Sequence, residues 1–286
     1  MYIGSCLPVG IYEKAFPADL LWEERLEMAA KAGYDFVEMS IDESPERLAR
    51  LDWSPSELAG LRNAVDSAGI PVFTLGLSAH RKYPLGSASP ELRKQAFEIF
   101  RKAIELASEL GVKVIQVMGY DVFYEPSTPD SGARFLEGLH QGACWAGAAG
   151  IMLALENVDV PFVNSVEKAM RFVQVVNSPW FNVYPDIGNL AAAGYDPVSQ
   201  LRLAKGYLVG VHVKDATPGV VRGVPFETGV VPFEDVFKAL EEMSFWGPLA
   251  VEMWADMDAS GGPFKAAVQA RKLVDRLVEA AWGSLE

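Results

Sequence analysis

At 286 residues, half of them apolar, the chain carries enough material for one large core or two ordinary ones. A formal charge of -13 and a pI near 4.8 oppose DNA or RNA as a partner, because nonspecific binding to a polyanion needs a basic face; a local cluster of Lys and Arg can still hold a small anion. Cys6 and Cys144 are too few for a disulfide scaffold and read as reduced thiols. No basic-then-apolar leader opens the chain and no apolar run is long enough to span a bilayer, so a soluble cytoplasmic protein without a membrane partner is expected.

In chain order, Leu7 to Tyr12 is a short apolar strand, and a helix from about Leu20 to Lys31 closes at Gly33. Phe36 to Ser40 is the second strand. The next helix opens at Ser54-Pro55-Ser56-Glu57, where Ser54 can cap, Pro55 suits the first turn and Glu57 completes a capping box. Val72 to Leu77 is the third strand, followed by the polar loop Ser78-Ala79-His80-Arg81. A second Ser-Pro-Glu start at Ser89 begins a long helix that reaches Leu110. Val114 to Met118 is the fourth strand, then come a long aromatic loop from Gly119 to Pro129 and a helix from roughly Ala133 to Ala148. Glycines 33, 69, 111 and 150 each stand between a helix and a strand, 36, 42 and 39 residues apart, which is a repeated βα unit.

The second half continues the repeat. Ile151 to Asn157 is an apolar run that ends in a carboxylate, as expected of a strand buried on both faces in a parallel sheet. Helices are predicted over Ser165–Val176, Pro197–Ala204, Phe233–Met243 and Phe264–Ala281, and strands over Phe181–Asp186, Leu208–Lys214 and Leu249–Glu252. Eight strands with eight helices predict an α/β fold, a single-domain (β/α)8 TIM barrel over residues 1–286, with its active site at the C-terminal strand ends. An open doubly wound sheet is the alternative, but no Gly-x-Gly-x-x-Gly follows the first strand.

Strands five to eight end at Glu156, Asp186, His212 and Glu252. A single such residue after a strand can be only a helix cap, or for His a satisfied buried side chain. Four in succession at the mouth of one barrel point to a shared function. Three carboxylates packed together repel one another, and one divalent cation removes that conflict. Three oxygen ligands with one imidazole suit Mn²⁺ foremost, Mg²⁺ or Co²⁺, and do not exclude Zn²⁺. With a cation holding a carbonyl and its neighbouring hydroxyl, Glu156 and Glu252 can face opposite sides of one carbon, removing a proton from one face and delivering one to the other. Trp254 is close enough to Glu252 to wall the pocket, while Trp22, Trp53 and Trp145 read as packing.

The phrases Gly10-Ile11-Tyr12-Glu13-Lys14, Phe36-Val37-Glu38-Met39-Ser40, Arg50-Leu51-Asp52-Trp53-Ser54, Leu77-Ser78-Ala79-His80-Arg81, Tyr184-Pro185-Asp186-Ile187-Gly188-Asn189, Val211-His212-Val213-Lys214-Asp215 and Val251-Glu252-Met253-Trp254 resemble the L-ribulose-5-phosphate 3-epimerase family, within the xylose-isomerase-like barrels. Enzymes of bacterial L-ascorbate breakdown belong to it. The resemblance implies interconversion of L-ribulose 5-phosphate and L-xylulose 5-phosphate at C3 through a cis-enediolate. It also implies a metal on Glu156, Asp186, His212 and Glu252, with Glu156 and Glu252 as the proton-transferring pair, and a homo-oligomer, dimer or tetramer. Epimerases of free ketoses share these four positions but usually carry His where this chain has Asn189, which favours the phosphorylated branch. Asn189, Lys214, His80 and Trp254 are expected substrate contacts, with Lys214, His80, Arg81 and the Ser260-Gly261-Gly262 turn the candidates for the phosphate. The alternatives are a 3-epimerase of free ketoses or a related sugar isomerase, a phosphodiesterase acting on damaged DNA, and a non-catalytic sugar-binding protein. The DNA reading suffers from the acidic charge and from only three His in the chain.

Overall fold

The computed structural model describes residues 7–257 and 261–283, so Cys6 and Ser260 lie outside the described residues. Strands and helices alternate as β1 (Val9–Tyr12), α1 (Trp22–Lys31), β2 (Phe36–Ile41), α2 (Pro45–Leu48), α3 (Pro55–Ala68), β3 (Val72–Leu77), α4 (Pro90–Leu110), β4 (Val114–Met118) and α5 (Pro129–Ala149). They continue as β5 (Met152–Glu156), α6 (Val166–Val176), β6 (Phe181–Val183), α7 (Ile187–Ala192), α8 (Pro197–Arg202), β7 (Val211–Val213), α9 (Phe233–Glu242), β8 (Leu249–Val251) and α10 (Pro263–Trp282). All eight strands are parallel and run β6-β5-β4-β3-β2-β1-β8-β7. Parallel bridges Val183 to Leu208 and Asp186 to His212 join the two ends, so the sheet closes into the expected TIM barrel.

The predicted starts hold where the capping chemistry is explicit. Ser54 Oγ accepts from Glu57 N at 3.3 Å while Glu57 Oε2 accepts from Ser54 N at 2.7 Å, and Ser89 caps α4 through Leu92 N. Gly69, Gly111 and Gly150 close α3, α4 and α5 with φ of 70°, 74° and 69°.

Three differences have local causes. Helix α5 begins at Pro129 rather than near Ala133, because Thr128 accepts from Ser131 N and starts the helix inside the segment read as loop. Strand β6 stops at Val183, since Pro185 has no N–H to continue the ladder, although its carbonyl still accepts from His212 N at 2.8 Å. Ten α-helices stand among the described residues instead of eight, the additions being α2 and α7. Helix α7 is buried on every side and so lacks the polar stripe that reveals a helix in sequence.

Inside the barrel, alternate strand residues form two zones. The floor is apolar, with Phe36, Val114, Ala154, Tyr184 and Ala250 packed as a cluster apart from the core beneath the helices. Gly10 and Gly210 make this floor possible: a Cβ at either would stand 2.1 Å from the ring of Phe36 or Tyr184. One step toward the C-terminal ends, the same strand faces carry Glu38, Ser40, Thr74, Gln116, Glu156, Asp186, His212 and Lys214, all buried. The apolar floor keeps water from this polar layer on one side.

Candidate metal centre

Glu156 is the last residue of β5, His212 lies in β7, Glu252 directly follows β8, and Asp186 sits between β6 and α7. Each offers a ligand atom, and these atoms all lie within 4.8 Å of one another. Asp186 is also the N-cap of α7: its Oδ1 accepts from Asn189 N at 2.8 Å, which leaves Oδ2 for the cluster. Both readings of a carboxylate after a strand, helix cap and ligand, are therefore satisfied by the two oxygens of one residue. Asn157 braces Asp186 from both sides, its Nδ2 donating to Asp186 O and its Oδ1 accepting from Asp186 N, each at 3.0 Å.

His212 Nδ1 lies 3.1 Å from Glu156 Oε1 and 4.0 Å from Asp186 Oδ2. The Lys214 ammonium stands 2.6 Å from Glu252 Oε2 and 2.7 Å from Asp186 Oδ2. The electrostatics show the strain of this packing. Burial raises the Glu156 carboxyl above its ordinary range, with His212 opposing, and raises Asp186 to about 7 against the pull of Lys214. Glu252, equally buried, is held at about 2 because Lys214 and His212 outweigh the burial. Burial would lower the His212 imidazolium, but Glu38 and Glu156 push it well above its usual value.

The residues fit a divalent cation. Glu156 Oε2 is a buried oxygen without a hydrogen-bond partner, and the donor set of three carboxylates and one imidazole suits a hard to borderline ion. A second and differently balanced cluster lies on the same rim, at the ends of β1 and β2. Glu13, fully buried, takes both Arg50 Nη atoms, Arg25 Nη1 at 3.3 Å and Arg47 Nε at 3.7 Å. Lys14 pairs with Asp42 at 2.6 Å, and Arg47 reaches the same carboxylate at 3.6 Å. Four cations thus face two carboxylates. Tyr12, whose hydroxyl donates to Ser40 Oγ and whose ring meets Trp254 edge-on at 6.1 Å, stands between this cluster and Glu252.

The other predicted contacts separate. Lys214 is inside the carboxylate cluster, not at an outlying phosphate position. Trp254 lines a cavity of about 450 Å³ that opens beside Lys214 and Glu252, and Lys214 and Arg222 stand over its ring at 5.5 and 4.8 Å. Asn189 donates through Nδ2 to Asn157 O, while its buried Oδ1 has no partner. His80 is 1% exposed, packs edge-on against Phe100 and bonds through Nε2 to Ala96 O, while its Nδ1 is buried without a partner, so the side chain lies within the core beside α4. Arg81 stacks on Phe123 at 4.8 Å. Gly262 is the N-cap residue of α10. Trp22 and Trp53 do pack, each against the Arg50 guanidinium. Glu13, Lys14, Arg47 and Arg50 went unread as functional residues, and so did Glu38; the signal for Glu38 was a carboxylate in phase with Ser40 inside an apolar strand.

The chain is a closed parallel barrel with a carboxylate-histidine cluster at its mouth, and a sequence profile described as xylose isomerase-like TIM barrel matches residues 26–277. The chain is 46% identical over 283 residues to "L-ribulose-5-phosphate 3-epimerase UlaE" of Escherichia coli strain SMS-3-5, covering 98% of this chain and all of that one. The protein of the same name from Shigella flexneri matches equally, at 46% over 98% of this chain. The chain belongs to the L-ribulose-5-phosphate 3-epimerase family of xylose isomerase-like TIM barrels. Among solved structures, an L-ribulose 3-epimerase superposes with a TM-score of 0.81 at 20% identity, covering 97% of this chain and 96% of that one. A D-psicose 3-epimerase determined with D-fructose superposes with 0.80 at 20% identity, covering 95% and 99%. At that identity the likeness is one of fold.

Proposed function

We propose that the chain interconverts L-ribulose 5-phosphate and L-xylulose 5-phosphate by moving a proton at C3. The observation that carries this reading is the convergence of Glu156, Asp186, His212 and Glu252 within 4.8 Å, in a chain 46% identical to enzymes named for that substrate. The four residues would hold one divalent ion, Mn²⁺ foremost, with Mg²⁺, Co²⁺ and Zn²⁺ compatible. An ion held there would supply Lewis-acid stabilisation of negative charge on the substrate oxygens, an effect on the order of several kcal/mol. Glu156 and Glu252 come from strands separated by β6 and β7 and approach the substrate from two sides. One removes the C3 proton to give a cis-enediolate and the other returns a proton to the opposite face; each positioned carboxylate contributes typically about 10²–10⁴-fold. Asn157 and the α7 N-terminus keep Asp186 from drifting toward either base. Lys214 balances charge beside Asp186 and Glu252 and can donate to a substrate hydroxyl, as the Asn189 Oδ1 can accept from one.

The phosphate end is assigned to Lys14 and Arg47. Their cluster carries two more cations than carboxylates, and the Tyr12 ring beside it meets Trp254. Among the described residues no helix is long and apolar enough to cross a membrane, and the substrate class agrees with a cytoplasmic homo-oligomer, whose mass sedimentation would report.

The likeness to free-ketose epimerases motivates a second reading, a 3-epimerase of unphosphorylated ketoses. Both are tested in D₂O with added Mn²⁺ by following deuterium at C3 of L-ribulose 5-phosphate and of L-ribulose. The first reading expects exchange and epimerisation of the phosphate ester with much the larger kcat/KM; the reverse preference supports the second, and no exchange in either sugar rejects both.

A further inference from the structure

The metal reading leaves one buried carboxylate of the polar layer without a task. Glu38 is 1% exposed on β2, across the barrel from β7, and it makes a complete set of bonds. Its Oε2 accepts from Thr74 Oγ1 at 2.7 Å and from Gln116 Nε2; its Oε1 faces His212 Nε2 at 2.8 Å. His212 Nδ1, on the other side of the ring, lies 3.1 Å from Glu156 Oε1. The Tyr184 ring backs the imidazole at 4.9 Å and 63°. The two ring nitrogens are thus aimed in opposite directions, one at Glu38 and one at the carboxylate cluster.

From this geometry we infer that Glu38 is a positioning residue: it takes the Nε2–H of His212 and so commits the Nδ1 lone pair to the cation. A neutral imidazole has one N–H and one lone pair, and the hydrogen bond at one nitrogen decides which is which. Thr74 and Gln116 saturate Oε2, which keeps Glu38 from swinging into the cluster as a fifth ligand and leaves only Oε1, pointed at the ring. A ring flip would set a carbon against that oxygen. The inference rests on the metal reading of His212, Glu156, Asp186 and Glu252.

The test measures Mn²⁺ affinity of the metal-free protein by calorimetric titration for wild type, Glu38→Met and Glu38→Gln, with circular dichroism melts confirming fold. Glu38→Met, close in volume but without an acceptor, is expected to bind about 10- to 100-fold more weakly. Glu38→Gln keeps a carbonyl oxygen for Nε2–H and is expected to recover most of that loss. In Zn²⁺-loaded protein labelled with ¹⁵N-histidine, the wild type and Glu38→Gln should show His212 with a single ligating nitrogen, Nδ1, whereas Glu38→Met should show both nitrogens in use; Glu38→Gln also controls for packing. If Glu38→Met does not fold, Thr74→Val, which loosens Glu38, must weaken Mn²⁺ binding several-fold. Affinity and imidazole signals unchanged in Glu38→Met, or affinity unchanged in that valine variant, would overturn the positioning role alone. A wild type that binds no divalent cation would instead remove the metal reading beneath it.

Discussion

Two buried charge clusters share the rim of this barrel, and they fail to balance in opposite senses. At the ends of β5 to β8, three carboxylates meet one histidine and one lysine, and burial drives Asp186 up to about 7. At the ends of β1 and β2, the Glu13 carboxylate is just as buried, yet Arg50, Arg25 and Arg47 outweigh that burial and hold it below its ordinary range. A buried charge is tolerated only when paired, so the two surpluses differ in the partner that would suit them, a cation at one and an anion at the other. The ketose phosphate proposed above would suit both.

The sharpest way to break this contrast is to remove the cation. Chelation should reduce turnover by at least about 10³-fold, with Mn²⁺ restoring it, and the melting temperature should rise with added Mn²⁺ by an amount corresponding to about 2.7 kcal/mol at 100 times Kd. A melting temperature indifferent to every divalent ion would show the carboxylate cluster to be self-sufficient.

Removing the anion from the other cluster should act on stability instead. Glu13→Gln strands the Arg25 and Arg50 guanidinium groups and is expected to cost about 3–5 kcal/mol in denaturant unfolding, with Mn²⁺ affinity unchanged. A loss below about 1 kcal/mol would mean that solvent already screens the arginines.

His80 supplies a third, unpaired case. Burial lowers its pKa from 6.5 to about 4 with no carboxylate to oppose it. Its folded pKa is depressed, so its contribution is complete above pH 6.5 and is lost as pH falls toward 4, as the unfolded chain takes up the proton first. The size is about 3 kcal/mol at 1.36 kcal/mol per pKa unit. Replacing His80 with Phe should flatten the stability profile between pH 6.5 and 4, and a profile of unchanged slope would refute the assignment.

The smallest effect belongs to the anion end. Arg47→Ala or Lys14→Ala should raise KM for the phosphorylated ketose about 10- to 100-fold while kcat stays within a few-fold, because the groups bind substrate equally before and during the proton transfer. A fall in kcat with KM intact would move the phosphate elsewhere, the cavity beside Trp254 and Arg222 being the next place to look.

The barrel and its four rim residues were legible because parallel strands buried on both faces read as apolar runs, and a charged residue ending each run stands out. The glycine junctions added a period that helices alone would have left vague. The rest was hidden for physical reasons. Helix α7 has no polar face to announce it, and Asp186 looked ambiguous because it is both cap and cluster member. Glu38 sits inside a strand, where its purpose depends on His212, 174 residues away. The Glu13 cluster is assembled from the turn after β1, from α1, and from α2 and the turn after it, so no single stretch displays it. The burial of His80 was hidden as well: it follows a strand in a polar stretch, and only its packing under α4 shows how little of it meets solvent.

The most direct measurement is C3 deuterium exchange with saturating Mn²⁺ in Glu156→Gln and Glu252→Gln, each offered L-ribulose 5-phosphate and L-xylulose 5-phosphate separately. Two carboxylates serving opposite faces predict that each variant still exchanges the C3 proton of one epimer, a different one for each variant, and interconverts neither. Exchange of both epimers by either variant would contradict the account, because a single remaining carboxylate would then be reaching both faces of C3.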